Sequence, residues 1–232
     1  MVNLFQDKTK IIMKIRLSII LLVSSFAPSL YGQTNDSSQV KQITYDPNSD
    51  KGKMVRVTEQ QMRAKQYYDK AYTFVDNHEF EKAIKSYKKA IGIDSTGNCG
   101  TGKNGNAFGE LGYSYTRIGD FVDALTYIDK AIELNKFAPE PYLSKSVILI
   151  QQGKKELALN VLDSLTRYLP TYAMGYAQRG FLYNSTEKYD LALQDFTKYL
   201  EIIKQQNQEQ NSASLVEDIK KYIAQIKAKE KK

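Results

Sequence analysis

Residues 108–134 read FGELGYSYTRIGDFVDALTYIDKAIEL, and the order of small and large side chains in this stretch decides the fold. Gly112 and Ala124 are small and stand twelve positions apart, with Gly119 between them. Phe108 comes four residues before Gly112, Tyr115 three after it, and Ile128 four after Ala124. Two helices that cross closely need a small residue from each at the crossing, with bulky neighbours to fill the space beside it. Gly119 stands where the first helix must end, because glycine accepts positive φ at a helix C-terminus without steric cost. The stretch therefore predicts an antiparallel helix pair.

The same arrangement recurs along the chain. Ala83, Ala124, Ala158 and Ala192 are spaced 41, 34 and 34, and Ala71, Gly112, Ser146 and Gly180 repeat those spacings twelve residues upstream. Tyr67, Phe108, Tyr142 and Tyr176 precede the first small residue by four, and Phe74, Tyr115, Leu149 and Tyr183 follow it by three. Tyr87, Ile128, Leu162 and Phe196 follow the second small residue by four, and Gly153 repeats the turn position of Gly119. Such periodicity marks a stack of helix pairs, since one pair alone leaves its apolar face uncovered.

These positions resemble the tetratricopeptide repeat family, whose pattern runs from a large residue through Leu-Gly, an aromatic, a turn Gly, Ala, an aromatic and Ala to Pro. The second repeat matches best, with Phe108, Leu111, Gly112, Tyr115, Gly119, Ala124 and Ala131. The third supplies Pro170, and the fourth supplies Gly180, Tyr183, Ala192 and Phe196. Lys70, Lys145 and Arg179 depart from the usual Leu, and Leu165 and Tyr199 from the second small Ala. The resemblance implies an all-α, right-handed superhelical solenoid of about four helix pairs, at about 64–97, 105–138, 139–172 and 173–206, within an ordered array over 58–206. Thr58 and Gln61 have capping-box spacing at its start. After the polar break QQNQEQNS (205–212), Leu215, Ile219, Tyr222, Ile223 and Ile226 form a helical stripe. Residues 213–232 are expected to cap the last repeat, with the Lys face in water. The rival role for this basic helix is contact with an anionic membrane surface.

The ends qualify the composition. The chain has 232 residues, 42% hydrophobic and 25% charged, which excludes a wholly disordered, collagenous or polytopic membrane protein. From Met13 it reads MKIRLSIILLVSSFAPSLYGQ, where Lys14 and Arg16 precede an apolar run from Leu17 to Ala27, then Pro28 and Gly32. This is the layout of a secretory signal peptide over about 13–32, with cleavage after Gly32 and Met13 as a candidate initiator. The run is short for a spanning helix, which needs roughly 20 apolar residues. Export to the periplasm or outside the cell is expected, in a protein of the bacterial envelope type. Polar residues 33–57 read as a flexible leader.

Charge follows the same division. The formal +7 becomes +4 without residues 1–32 and +1 without 213–232 as well. Nucleic acid is thus not an expected partner, because the repeats carry little of the basic excess.

Chemistry has few candidates. One Cys and one His exclude a disulfide framework and a structural zinc site. Seven extra residues between repeats one and two lie within DSTGNCGTGKNGN (94–106), where Gly97, Gly102 and Lys103 fit G-x-x-x-x-G-K. Asn104 stands where a phosphate loop needs Ser or Thr, and a helix precedes instead of a strand. A small-molecule enzyme built on loop 97–105 is therefore the weakest alternative. Cys99, in that loop, is a candidate reactive thiol in an oxidising compartment. His78 falls in the first inter-helix turn without a nameable catalytic partner. No cofactor and no metal site are implied.

The resemblance places function on the concave face, lined by the first helix of each pair. Carried over by position, that face holds Lys65, Tyr68 and Tyr72, then Asn106, Gly109, Tyr113 and Arg117. It continues with Glu140, Leu143, Val147 and Ile150, then Met174, Ala177, Phe181 and Asn184. The family's best-known variant holds a peptide carboxylate with Lys and Asn on these helices; here Tyr68, Tyr72, Glu110 and Glu140 take those places, and two carboxylates would repel such a ligand. A peptide or protein with apolar anchors fits better, bound by aromatic rings with Lys65 and Arg117 orienting polar groups. The alternative is a structural subunit of an envelope assembly that uses repeat edges and the terminal helix.

Overall fold

The computed structural model describes residues 59–102 and 105–229. The expected signal (13–32), the leader (33–57), Thr58, Lys103 and Asn104 lie outside the described residues. Among the described residues there are nine helices: α1 (Glu59–Asp76), α2 (Phe80–Ile93), α3 (Asn106–Ile118), α4 (Phe121–Leu134), α5 (Pro139–Gln151), α6 (Lys155–Tyr168), α7 (Ala173–Ser185), α8 (Tyr189–Gln205) and α9 (Ala213–Lys229). Among the described residues there is no strand. The first eight helices form four pairs, α1–α2 to α7–α8, each stacked on the next, and α9 closes the array.

The small residues sit where the pattern requires them. Ala71, Ala83, Ala124, Ser146, Ala158 and Ala192 are fully buried. A Cβ on Gly112 would lie 2.6 Å from Ile128 Cγ1 and 3.1 Å from the Ala124 carbonyl, so only glycine permits α3 to approach α4 this closely. The large partners Tyr87, Ile128, Leu162 and Phe196 are fully buried beside them.

Each pair is turned by the same device. His78, Gly119, Gly153 and Glu187, spaced 41, 34 and 34, all have positive φ, from 60° to 84°. The following backbone N–H in each case reaches back to the helix: Glu79 to Phe74, Asp120 to Tyr115, Lys154 to Leu149 and Lys188 to Tyr183, at 2.8–3.0 Å. This is the Schellman closure, which satisfies carbonyls that a helix end would otherwise leave open. His78 and Glu187 adopt it without glycine. His78 accordingly is an exposed turn residue, its ring stacked on Phe80.

The departures from the family pattern bind one repeat to the next. Lys145 on α5 pairs with Asp129 on α4 at 2.5 Å. One period later Arg179 on α7 pairs with Asp163 on α6 at 2.8 Å. Arg179 also grips Asp195 on α8 through Nε and Nη2, at 2.8 and 2.7 Å, and donates to Thr166 Oγ1 at 2.8 Å. Burial pushes the Asp195 carboxyl up from the usual range despite the guanidinium beside it. Leu165, where a small residue is usual, is accommodated by Gly175, whose added Cβ would meet it at 3.2 Å.

Helix α9 lays its stripe on the fourth repeat. Val216, Ile219 and Ile226 are buried there, and Leu215, Tyr222 and Ile223 pack alongside. Its Lys residues 220, 221, 227 and 229 stay exposed. Among the described residues no helix is long and apolar enough to cross a membrane.

Candidate functional site

The first helices of the pairs, α1, α3, α5 and α7, carry all the residues assigned to the groove. Tyr72 and Tyr113 are half-buried, each with part of the ring left for contact. Leu143, Ile150, Met174 and Asn184 are half-buried further along the array.

Two cations expected to orient a ligand are held inside the protein's own contacts. Lys65 pairs with Asp69 one turn away at 2.7 Å, both exposed. Arg117 donates to Tyr113 Oη at 2.7 Å, and its guanidinium lies 4.5 Å from the centre of the Phe80 ring. This stack fixes Tyr113 from the α2 side, where Phe80 also meets it edge-on at 6.4 Å.

Four residues assigned to the groove make contacts inside the array. Tyr68 is buried, with its ring against Tyr87 at 5.4 Å, and its hydroxyl accepts from Asn106 Nδ2 at 2.6 Å. Tyr68 and Asn106 thus form a strut between repeats one and two. Val147 is buried in the wall of the array. Phe181 packs edge-on against Phe196 at 5.0 Å and Tyr222 at 5.3 Å, so its ring anchors α9. Helix periodicity gives a side chain's face but not which neighbour covers it, and α9 claims this one.

The N-terminal half of the face is acidic. Glu110 on α3 is pushed up to about 7, first by burial and then by the negative charges of Glu140 on α5 and Asp76 on α1. Burial, reinforced by Asp76 and Glu110, also holds the Tyr72 hydroxyl above its ordinary value. Tyr87, on α2, is fully buried among the same groups, with its proton held tightly by burial and by Glu110, Tyr68, Tyr72 and Asp76. Its hydroxyl finds no hydrogen-bond partner among the described residues. None of the ion pairs formed by the described residues includes Asp76, Glu110 or Glu140. The repulsion expected between Glu110 and Glu140 is thus present, and Asp76 adds to it. Asp76 was missed because it stands where the next repeat has Arg117, a position with no common charge.

The loop before α3 is closed on itself. Asp94 accepts from the Thr96 N–H and hydroxyl and from the Cys99 N–H, at 3.1, 2.6 and 2.8 Å. The Gly102 N–H is taken by Asn98 Oδ1 at 2.8 Å, and the Gly105 N–H by the Thr96 carbonyl at 2.9 Å. A phosphate cradle needs such N–H groups turned outward. Here they point inward, those of Thr96 and Cys99 at the Asp94 carboxylate, that of Gly102 at the Asn98 amide oxygen and that of Gly105 at the Thr96 carbonyl. Cys99, the candidate reactive thiol, is fully buried, and burial together with Asp94 pushes it up to about 12. Nucleophilic or redox thiols are exposed and depressed in pKa, so Cys99 is a packing residue. Among the described residues no group of His, Cys, Asp and Glu is placed to hold a metal ion.

Residues 64–96 and 106–137 match the tetratricopeptide repeat family. These two segments carry the tetratricopeptide repeat. Solved structures with the same architecture include a tetratricopeptide repeat protein from Parabacteroides merdae ATCC 43184, 23% identical, covering 70% of this chain and 63% of that one at a TM-score of 0.55. The MamA protein, 22% identical, covers 72% of this chain and 92% of its own at 0.52. A MamA fragment from Desulfovibrio magneticus RS-1, 18% identical, covers 75% and 97%, also at 0.52. In sequence the chain is similar to Hsp70-Hsp90 organizing protein 2 of Arabidopsis thaliana, 23% identical over 175 residues. That alignment takes in 75% of this chain but only 30% of the relative's length.

Proposed function

We propose that this protein is an exported, non-enzymatic adaptor that holds a peptide or protein partner against the concave face of its repeats. The observation that carries this is the arrangement around Tyr72 and Tyr113. Both rings are half-buried on successive first helices, Tyr113 is held in place by Arg117 and Phe80, and the carboxylates beside them have no partner ion. A preformed aromatic surface costs little entropy to engage, because its side chains are already fixed. A relative in sequence is named for organizing Hsp70 and Hsp90, which supports a protein-binding role. Export is supported by the positive, apolar and small-residue layout of 13–32.

The double substitution Tyr72→Ala/Tyr113→Ala tests the groove. Partner capture from the envelope fraction should be lost while the helical circular-dichroism spectrum stays intact; unchanged capture would overturn the proposal. A second reading, assembly through repeat edges, is favoured by Val122, Leu157 and Leu191, exposed at 78%, 51% and 40% on the second helices. Charged replacements at those three positions would then abolish capture where the tyrosine pair does not.

A further inference from the structure

The first repeat carries the basic half of a joint that recurs along the array, without the acidic half. Lys145 on α5 pairs with Asp129 on α4, and Arg179 on α7 with Asp163 on α6, each partner lying sixteen residues back on the preceding second helix. Lys70, Lys145 and Arg179 stand directly before the small residues Ala71, Ser146 and Gly180, so Lys70 on α1 is their counterpart. Sixteen residues before Lys70 stands Met54, so the chain supplies no carboxylate in that register. Lys70 takes part in none of the ion pairs formed among the described residues.

The surface around Lys70 is basic and aromatic. Arg63, Tyr67, Lys70 and Phe74 recur along one stripe of α1, and Lys82, Lys85 and Lys89 along one of α2. The two stripes meet. Lys70 and Lys82 Nζ lie 5.8 and 5.7 Å from the centre of the Phe74 ring, and Lys89 Nζ lies 5.5 Å from that of Tyr67. The four lysines are exposed and both rings are half-buried. Of these lysines only Lys82 pairs with a carboxylate among the described residues, that of Glu79. In repeats two and three the counterparts of the two rings, Phe108, Tyr115, Tyr142 and Leu149, are buried. Lys88 of α2 reaches over Tyr115 at 5.2 Å, so a preceding second helix lies on this side of a repeat.

We propose that Tyr67, Lys70, Phe74, Lys82 and Lys89 dock an acidic amphipathic helix of a partner protein, which takes the place of a preceding second helix. Its mark is an Asp or Glu directly after an aliphatic residue of the apolar stripe, as Asp129 follows buried Ile128 and Asp163 follows buried Leu162. The apolar stripe covers the two rings, and carboxylates beside it meet the lysines. A second copy of this chain fits less well. Its terminal helix α9 exposes Lys220, Lys221, Lys227 and Lys229 against Glu217 and Asp218, which brings like charge to the lysines. The docking face is separate from the groove, because Lys70 and Tyr72, two residues apart, lie on opposite sides of α1.

The probe is the segment 121–134, Ac-FVDALTYIDKAIEL-NH2, whose Asp129 already meets a lysine in this register. A hydrocarbon staple between positions 122 and 126, both exposed in α4, holds it helical. Titrated into the full-length 15N-labelled chain, it should shift the amides of Tyr67, Lys70, Phe74, Lys82 and Lys89. Asp129→Lys in the peptide should weaken binding about fivefold, the scale of a partly exposed ion pair. Lys70→Glu in the protein, with an unchanged circular-dichroism spectrum, should do the same. The two changes together should recover most of the loss, which misfolding does not allow. Tyr72→Ala/Tyr113→Ala should leave the affinity unchanged, so this face and the groove are tested separately. No shift on this face, or equal affinity for the parent and Asp129→Lys peptides, would overturn the proposal. Three further results would overturn the partner assignment. Concentration-dependent shifts of the same amides without peptide would place a second copy there. Shifts on Asp46→Asn/Asp50→Asn without peptide would place the chain's own residues 33–57 there. Displacement of the peptide by phosphatidylglycerol vesicles would place an anionic lipid surface there.

Discussion

Glu110→Gln should make the protein more stable at pH 8 and leave it nearly unchanged at pH 4.5. A carboxylate whose folded value lies above its unfolded one binds protons more tightly in the folded state, so stability is greatest at low pH and falls as pH rises between the two values. For Glu110 that window runs from 4.5 to about 7. At ~1.4 kcal/mol per pH unit, ionising it in place costs about 3 kcal/mol, fully present above pH 7. Glutamine keeps the shape and removes the charge. The variant should therefore gain up to about 3 kcal/mol at pH 8 and show a flatter stability profile between pH 4.5 and 7. Because repeats open semi-independently, the gain is best read by amide exchange in α3 alongside urea unfolding at several pH values. Parallel pH profiles for parent and variant would refute the burial and the charge coupling together.

Other perturbations probe the joints of the array. Arg179→Met leaves the buried Asp195 without its guanidinium and should cost about 3–5 kcal/mol in urea unfolding, with Arg179→Met/Asp195→Leu recovering most of it. Gly112→Ala drives a methyl to 2.6 Å from Ile128 and should cost about 1–3 kcal/mol. Gly109→Ala, whose nearest neighbour is Pro141 at 3.6 Å, should be far milder by the same thermal melt. Cys99, held up to about 12, should carry about a thousandfold less thiolate than an ordinary cysteine. It should then resist a disulfide reagent at pH 8 until the protein is unfolded in guanidinium.

The fold was legible because its rules are local and repeated. Gly112 and Gly180 announce close crossings, and the spacings 41, 34 and 34 carry that reading from the clearest repeat to the weaker ones. The same arithmetic, applied further, identifies His78 and Glu187 as turn positions equivalent to Gly119 and Gly153 despite their side chains. It also pairs Asp129 with Lys145 and Asp163 with Arg179, since both members of each pair move by one period. The site was legible only in part. Tyr72, Tyr113 and the Glu110–Glu140 repulsion follow from position within the repeat. The burial of Tyr68 and the capture of Phe181 by Tyr222 depend on contacts across repeats, to which a one-helix pattern is blind. Cys99 shows the same limit: a loop rich in glycine and asparagine reads as exposed, yet Asp94 draws its N–H groups inward and buries the thiol.

The claim that function lies on the concave face is tested most directly by a photo-cross-linking amino acid placed in turn at Tyr72, Tyr113, Val122 and Leu157 of the full-length chain in its native cell. Positions 72 and 113 are half-buried on the first helices, whereas Val122 and Leu157 are exposed at 78% and 51% on the second helices. A discrete adduct from positions 72 and 113, missing from 122 and 157, is the expected result. Adducts from 122 and 157 alone would contradict the account.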